Sequence, residues 1–116
     1  MRHRKKGKIL GRRKGKREAL LRGLLNNFVL FEKMDTTKAK AKVVRPLVER
    51  LITRATDNNL ASRRYIAARL YTDGARRKLF EVLAPRYKQR KGGYTRIIPL
   101  KRRAGDGAEI VRIEFV

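Results

Sequence analysis

Apolar residues recur at helical spacing in four stretches of the chain. The first runs from Leu20 to Phe28 and predicts a helix over about 16–27, with Asn26-Asn27 as its end. The second predicts a helix between capping candidates at 35–37 and Asp57, with a kink or a start near Pro46. A third helix is predicted over about 59–71, with Leu60, Ile66, Ala67 and Leu70 on its apolar side. A fourth is predicted from Thr72 or Asp73 to the residue before Pro85.

Three further stretches predict β-strands. FVLFEKM, over about 28–34, is short and rich in aromatic and β-branched residues. YTRIIPL contains Pro99, which indicates an edge strand or a strand end, and EIVRIEFV alternates between apolar and polar residues. The turn sequence RRAGDG between these two predicts a hairpin. The order α-β-α-α-α-β-β predicts an α+β fold of two layers, in which helices pack on a small sheet.

The charge of the chain indicates a polyanionic partner. Its 116 residues include 33 Lys or Arg and 10 Asp or Glu, for a net charge of +23. A chain of this length supports a single core, and so large a charge repels itself unless a polyanion neutralises it. Because the sequence has no Cys and no apolar run long enough to cross a bilayer, it predicts neither a disulfide framework nor a membrane protein.

Basic residues are concentrated in two acid-free segments. Residues 1–17 hold ten Lys or Arg, and residues 82–103 hold eight. Residues 1–15 have too few apolar side chains to fold alone, so they are predicted to form an extended RNA-binding arm before a single globular domain over 16–116. A transit peptide or a membrane-surface anchor is an alternative. The arm lacks serine and an amphipathic period, and its only adjacent apolar residues are Ile9 and Leu10.

The sequence contains no recognisable catalytic or metal-binding motif. GRRKGKR differs from a phosphate loop in its glycine spacing and has Arg17 where a hydroxyl group must hold magnesium. His3 is the only histidine, and the carboxylates are scattered where they balance nearby cations or form turns. The chain is therefore predicted to be no enzyme and to take no cofactor, metal or small-molecule substrate.

The candidate nucleic-acid residues lie in the arm, at the start of the second helix, in two arginine-rich helix faces and in the segment RYKQRKGGYTR. Helix N-termini favour phosphate, and a glycine pair lets backbone approach a ligand closely. The residues predicted to bind RNA are Arg2, His3, Arg4, Lys5, Lys6, Lys8, Arg12, Arg13, Lys14, Lys16, Arg17, Thr36, Thr37, Lys38, Lys40, Lys42, Arg63, Arg64, Arg86, Arg90, Lys91, Gly92, Gly93, Tyr94, Thr95 and Arg96.

Each group within the domain has a simpler alternative. For the basic helix faces, the alternative is an ordinary solvent-exposed surface, which also carries many charged side chains. In the RYKQRKGGYTR segment, Tyr87 and Tyr94 are predicted to stack on bases or sugars, with arginines nearby for phosphates. The alternative is that the two glycines form a turn before a strand and that Tyr94 packs on the sheet.

Taken together, these motifs resemble one family over nearly the whole chain. The opening Met-Arg-His, Thr36-Thr37 followed by Arg45-Pro46, LFEVLAPRY at 79–87 and RKGGYTRI at 90–97 are similar to the bacterial-type large-subunit ribosomal protein number seventeen family. The resemblance implies a two-layer α-β-α(3)-β(2) fold and a non-enzymatic protein that binds large-subunit rRNA. It also implies a place near the outer rim of the peptide exit tunnel and contacts with neighbouring ribosomal proteins.

The expected function is that of a structural constituent of the large ribosomal subunit, which stabilises rRNA for translation. The expected location is the cytoplasm, in the ribosome, and an organellar ribosome is an alternative. A DNA-binding architectural protein is a second hypothesis, although the sequence shows no helix-turn-helix pair and no dimer seam.

Overall fold

The chain folds into a layer of helices over an antiparallel sheet, and the computed structural model describes residues 10–116. The elements in chain order are α1 (Lys14–Phe31), β1 (Lys33–Thr37), α2 (Lys38–Asp57), α3 (Leu60–Ala67), α4 (Asp73–Lys78), a π-helical turn (Leu79–Leu83), α5 (Ala84–Arg86), β2 (Thr95–Arg102) and β3 (Glu109–Phe115). The predicted α+β class, with helices packed on a small sheet, is confirmed. Most of the predicted basic arm lies outside the described residues.

The first helix is longer than predicted, and the strand predicted over 28–34 is wrong. Phe28 and Val29 are buried on the same face of α1 as Leu25, so they continue the helical period that their β-type composition concealed. Asn26 does not end the helix, because its buried side-chain oxygen accepts a hydrogen bond from Thr72 Oγ1 at 2.7 Å. The helix ends at Glu32, whose φ of 64° is left-handed and turns the chain into β1.

The second helix, α2, is the centre of the helical layer. Its buried face consists of Ala41, Val44, Val48, Leu51, Ile52 and Ala55. The helix begins directly after β1, and Thr37 occupies the capping position without a side-chain cap hydrogen bond. Pro46 lies exposed inside the helix and does not start it. The predicted end at Asp57 is confirmed, because Asn58 follows in the left-handed region with a φ of 47°.

The third helix is shorter than predicted and packs through fewer residues. It ends at Ala67, and Asn59 caps its start by accepting a hydrogen bond from the Ser62 backbone N–H at 2.8 Å. Ile66 is buried as predicted, but Leu60 and Ala67 are exposed. A short helix buries only the side chains that point directly at its neighbour, which here is α2. Leu60 and Ala67 therefore face solvent although they belong to the predicted apolar side.

The next helical stretch begins where predicted and continues further. Thr72 Oγ1 accepts a hydrogen bond from the Ala75 backbone N–H at 3.4 Å at the start of α4. The predicted stop before Pro85 is wrong, because helical backbone continues to Arg86. In the π-helical turn the Ala84 N–H donates to the Leu79 carbonyl, and Pro85 then lies in the first turn of α5, where its missing N–H is not needed.

The sheet has the order β1-β3-β2, and both pairings are antiparallel. The predicted hairpin is confirmed as β2 and β3, and β1 adds to the other side of β3. Pro99 lies in the edge strand β2, as predicted, next to an irregularity between Pro99 and Lys101. The face of β3 that carries Val111, Ile113 and Phe115 is buried against the helices.

Aromatic rings join the two layers. The Phe28 ring of α1 stacks on the Phe115 ring of β3, with centroids 4.4 Å apart. Tyr87 lies 6.1 Å from Phe115, and Tyr94 lies 5.3 Å from Tyr87. All four rings are buried, so this cluster connects α1, the sheet and both ends of the segment between α5 and β2.

Glu32 links the end of α1 to the later helices by ion pairs. Its carboxylate pairs with Arg86 and lies 3.3 Å from Lys78 Nζ. Lys78 Nζ also donates to the Leu30 carbonyl at 2.6 Å. The hydrogen bond from Arg86 holds the pKa of the Glu32 carboxyl below its usual value.

We expect replacement of Phe28 by alanine to cost about 3–5 kcal/mol of unfolding free energy, because it removes a fully buried ring and leaves a cavity. Chemical denaturation with circular dichroism measures this loss. Phe31→Ala is the matched control in the same helix, since its side chain is 70% exposed. The control should change stability by less than about 0.5 kcal/mol, and equal losses in both variants would contradict the described burial.

We expect Glu32→Gln to destabilise the fold at pH 7 by about 0.5–1 kcal/mol, a modest value because 36% of the Glu32 side chain is exposed. The folded pKa is lowered, so the stabilisation is complete above the ordinary pKa and is lost as the pH falls through the folded value. The difference from the unmodified chain should therefore shrink below about pH 4 in thermal melts.

Glu81→Gln is the control for overall charge. It also removes one negative charge from a chain of net charge +23, but Glu81 is exposed and forms no ion pair within residues 10–116. A loss in Glu81→Gln as large as that in Glu32→Gln would show that general repulsion, and not the two ion pairs, explains the effect.

Candidate nucleic-acid interface

The exposed side of α2 carries two groups of cations. Lys38, Lys42 and Arg45 follow one another at spacings of four and three residues, so they lie in one row along the helix. Arg50 and Arg54, four residues apart, lie on the other side of the same exposed surface. The burial of the opposite face of α2 thus leaves both groups in solvent.

The row of three cations faces the β2–β3 hairpin across a groove of about 570 Å³, which we call the hairpin groove. Its lining comprises Lys38, Lys42, Arg45, Ile97, Pro99, Leu100, Lys101, Arg102, Glu109, Ile110 and Val111. Glu109 lies 3.4 Å from Lys38 Nζ and 3.3 Å from Arg102 Nη2, so this one carboxylate holds the two walls together. Lys42 and Lys101 have no carboxylate within 4.0 Å among residues 10–116, and both remain available for an anion.

The segment between α5 and β2 forms a turned basic loop. Gly92 and Gly93 have φ values of 93° and 63°, a left-handed conformation that glycine adopts without strain. Arg90 and Lys91 precede them on the surface. Tyr94, which follows, is only 4% exposed, and its hydroxyl donates to the Arg90 carbonyl at 3.1 Å. The glycine pair therefore forms a turn whose end is fixed by a buried ring.

The prediction that Tyr87 and Tyr94 stack on bases is wrong for this fold. Tyr87 is 3% exposed, and its hydroxyl donates to the Val116 carbonyl at 2.7 Å. Both rings belong to the hydrophobic core. For Tyr94, this agrees with the alternative prediction that its ring packs on the sheet. The side chain of Thr95 is also buried, and its hydroxyl donates to Glu49 Oε1 at 3.0 Å. These three side chains are buried and position the loop.

A second groove, which we call the loop groove, lies between this loop and the second cation group. It has a volume of about 460 Å³ and is lined by Pro46, Glu49, Arg50, Thr53, Arg54, Tyr65, Gly92 and Tyr94. The Arg54 guanidinium lies over the Tyr65 ring, 4.7 Å from its centroid. Arg45, which lines the hairpin groove, donates from Nη2 to the carbonyl of Thr95, the residue that follows Tyr94 of the loop groove, at 3.4 Å.

The remaining predicted residues of the domain line neither of these grooves. Lys40, Thr36 and Thr37 are half-buried near the start of α2. Arg63 donates to the Asn58 side chain at 3.0 Å and lies over the Phe80 ring, whereas Arg64 is exposed. Arg86 and Arg96 are committed to ion pairs with Glu32 and Glu114, so their charges are partly neutralised within the protein.

The predicted arm is described only at its end. Arg12 Nη1 donates to the Leu10 carbonyl at 2.7 Å, and Arg13 occupies the N-cap position of α1 without a side-chain cap hydrogen bond. Lys14, Lys16 and Arg17 lie in the first turn of that helix, which begins two residues before the predicted domain boundary at 16. The predicted residues Arg2, His3, Arg4, Lys5, Lys6 and Lys8 lie outside the described residues.

Sequence reasoning missed Arg45, Lys101 and Arg102 of the hairpin groove, and Arg50 and Arg54 of the loop groove. Their signals were present: the α2 residues lie opposite its apolar face, and Lys101 and Arg102 lie in the acid-free segment 82–103. The sequence did not indicate that the hairpin folds against this side of α2, so these residues could not be grouped.

The part of the chain that the structure describes offers no group of three or more His, Cys, Asp or Glu side chains that could hold a metal ion. Among the same residues, no helix is long and apolar enough to cross a membrane. Cations and apolar side chains together line both grooves.

Comparison with known proteins identifies relatives over the full length of the chain. The chain is 48% identical over 116 residues to the large ribosomal subunit protein bL17 of Thermomicrobium roseum, with 100% of this chain and 99% of the relative covered. It is 50% identical over 117 residues to the bL17 protein of a Hydrogenobaculum species, with the same coverage. The bL17 protein of Rickettsia bellii is 47% identical over 116 residues, covering 100% of this chain and 82% of the relative.

A family model agrees with these relatives. The model described as Ribosomal protein L17 matches residues 20–116, which include every strand and most of the helical layer. The motifs that suggested this family, from Thr36-Thr37 to RKGGYTRI, all lie within the matched range. The chain belongs to the Ribosomal protein L17 family.

Proposed function

We propose that the chain is a structural constituent of the large ribosomal subunit, located with the ribosome in the cytoplasm, where it binds and stabilises large-subunit rRNA. The observation that carries this proposal is the hairpin groove, which Lys42 and Lys101 both line, and neither lysine has a carboxylate within 4.0 Å among residues 10–116. The family is structural and non-enzymatic, in agreement with the predicted absence of catalysis.

The mechanism is electrostatic neutralisation. Lys and Arg side chains displace counterions from closely packed phosphates, so association is strong and depends steeply on salt. The α2 row and the hairpin belong to elements that pack through the buried core, and Glu109 links the Lys38 end of the row to the hairpin, so together they offer phosphates a preformed surface. Such a surface recognises the shape of a folded RNA backbone more than its base sequence.

The basic loop and the arm extend this surface. Arg90 and Lys91 project from a loop whose far end is anchored by the buried Tyr94 ring. Residues 1–15 supply further cations, which we propose to follow the rRNA backbone. We propose that this contact lies near the outer rim of the peptide exit tunnel, beside neighbouring ribosomal proteins, as the resemblance of the motifs to the family implies.

The test of the ribosomal role is sedimentation of a cell extract through sucrose at low and at high salt. We expect the protein to sediment with the large subunit at low salt and to be partly released at high salt, because the phosphate contacts that hold it weaken as the salt concentration rises. A protein that stays in the free soluble fractions at low salt would contradict the proposal. Preference for duplex DNA over structured rRNA, in competition at matched salt, would favour a DNA-binding architectural protein instead.

We expect the double variant Lys42→Gln, Lys101→Gln to bind an rRNA transcript more weakly and with a shallower dependence on salt. The slope of log affinity against log salt should fall in magnitude by about 1.5, which corresponds to two lost phosphate contacts. Filter binding of the full chain to a large-subunit rRNA transcript, at several salt concentrations, measures the slope.

The matched control is the double variant Arg22→Gln, Lys33→Gln, which has the same net charge. Lys33 lies on β1, where its side chain points to the sheet face opposite the buried Ile113, and Arg22 is exposed on α1. If the slope falls equally in both double variants, the overall charge and not the hairpin groove explains binding.

A further inference from the structure

The loop groove carries chemistry that phosphate binding alone does not require. Two guanidinium groups lie over the Tyr65 ring, with Arg69 Cζ 3.6 Å and Arg54 Cζ 4.7 Å from the centroid. Arg69 is held in place because its Nη1 donates to the Tyr65 carbonyl at 3.1 Å. Arg54 is exposed on α2, so its planar group is supported by the ring and still open to solvent.

The acidic residue of the groove does not neutralise this site. Glu49 Oε1 accepts a hydrogen bond from Thr95 Oγ1 at 3.0 Å and lies 3.5 Å from Arg45 Nε. Its side chain is only 26% exposed. Within residues 10–116, neither Arg50 nor Arg54 has a carboxylate within 4.0 Å, so both cations are available to a ligand.

Gly92 contributes backbone without a side chain to the lining of the groove. It has a φ of 93°, and a Cβ atom built there meets no atom within 4 Å, so the space beside this backbone is open. The lining also includes Tyr94, whose ring is buried and whose hydroxyl is already bonded. The loop groove therefore offers open space along a lining that includes Arg54.

The geometry points to a site for an unpaired RNA nucleotide, whose base stacks on the Arg54 guanidinium and whose phosphate is bound by Arg50. An aromatic-backed guanidinium plane is a surface on which exposed bases stack, whereas bases within a duplex present no free face. This inference rests on the proposed function, since it names the kind of RNA that one part of the surface takes. It assigns a role to Arg50, Arg54 and Tyr65, which the phosphate-binding hairpin groove does not explain.

The test uses the full chain and three labelled probes at one salt concentration: a ten-nucleotide single-stranded oligoribonucleotide, an abasic strand of equal length, and a duplex of equal length. Arg54→Lys keeps the charge but removes the planar group. We expect about five-fold weaker binding of the base-containing single strand and unchanged binding of the abasic strand and the duplex. Fluorescence anisotropy measures all three affinities.

Arg77→Lys is the matched control. Arg77 is exposed on α4, and no ring in the described part of the chain supports its guanidinium, so this variant should bind all three probes like the unmodified chain. Two results would overturn the inference. In the first, Arg54→Lys binds the base-containing strand as tightly as the unmodified chain does. In the second, it loses as much affinity for the abasic strand as for the base-containing strand. A transcript of large-subunit rRNA is measured alongside, because failure of the unmodified chain to bind that transcript would instead overturn the proposed function.

Discussion

The stacking of Phe28 on Phe115 is the contact on which the rest of the structure depends. It joins α1 to the central strand of the sheet, and Tyr87 and Tyr94 extend it to both ends of the basic loop. A chain of net charge +23 resists compaction by its own repulsion, so apolar burial at the centre must hold the layers together. The loop is positioned by the same rings, and its cations reach solvent from a rigid base.

The few carboxylates act as links between elements. Glu32 joins the end of α1 to Lys78 and Arg86, and Glu109 joins α2 to the hairpin. Asp106 forms the hairpin turn: hydrogen bonds from Arg103 and from the Ala108 backbone N–H lower its pKa to about 2. Because acids are scarce, many cations have no carboxylate within 4.0 Å among residues 10–116, including Lys42, Arg50 and Arg54 on the exposed side of α2.

Prediction from sequence succeeded where the local pattern had a single interpretation. The alternation of EIVRIEFV and the turn RRAGDG gave the hairpin, and the apolar period after Val44 gave α2. It failed at FVLF, where four residues suit a strand by composition but continue helix α1, with Phe28 and Val29 on its buried face. It also failed at Tyr87 and Tyr94, because an aromatic residue in a basic loop can stack on a base or fill a core, and only packing against Phe115 distinguishes the two.

The sequence by itself determined the fold class, the polyanionic partner and the family, since these depend on periodicity, net charge and ordered motifs. The tertiary structure alone decided which cations act together. Lys42 and Lys101 are 59 positions apart, and they meet only because the hairpin folds against α2. It also decided that Arg54 stacks on Tyr65. No local pattern encodes such pairings, because they follow from the way whole elements bury their apolar faces against one another.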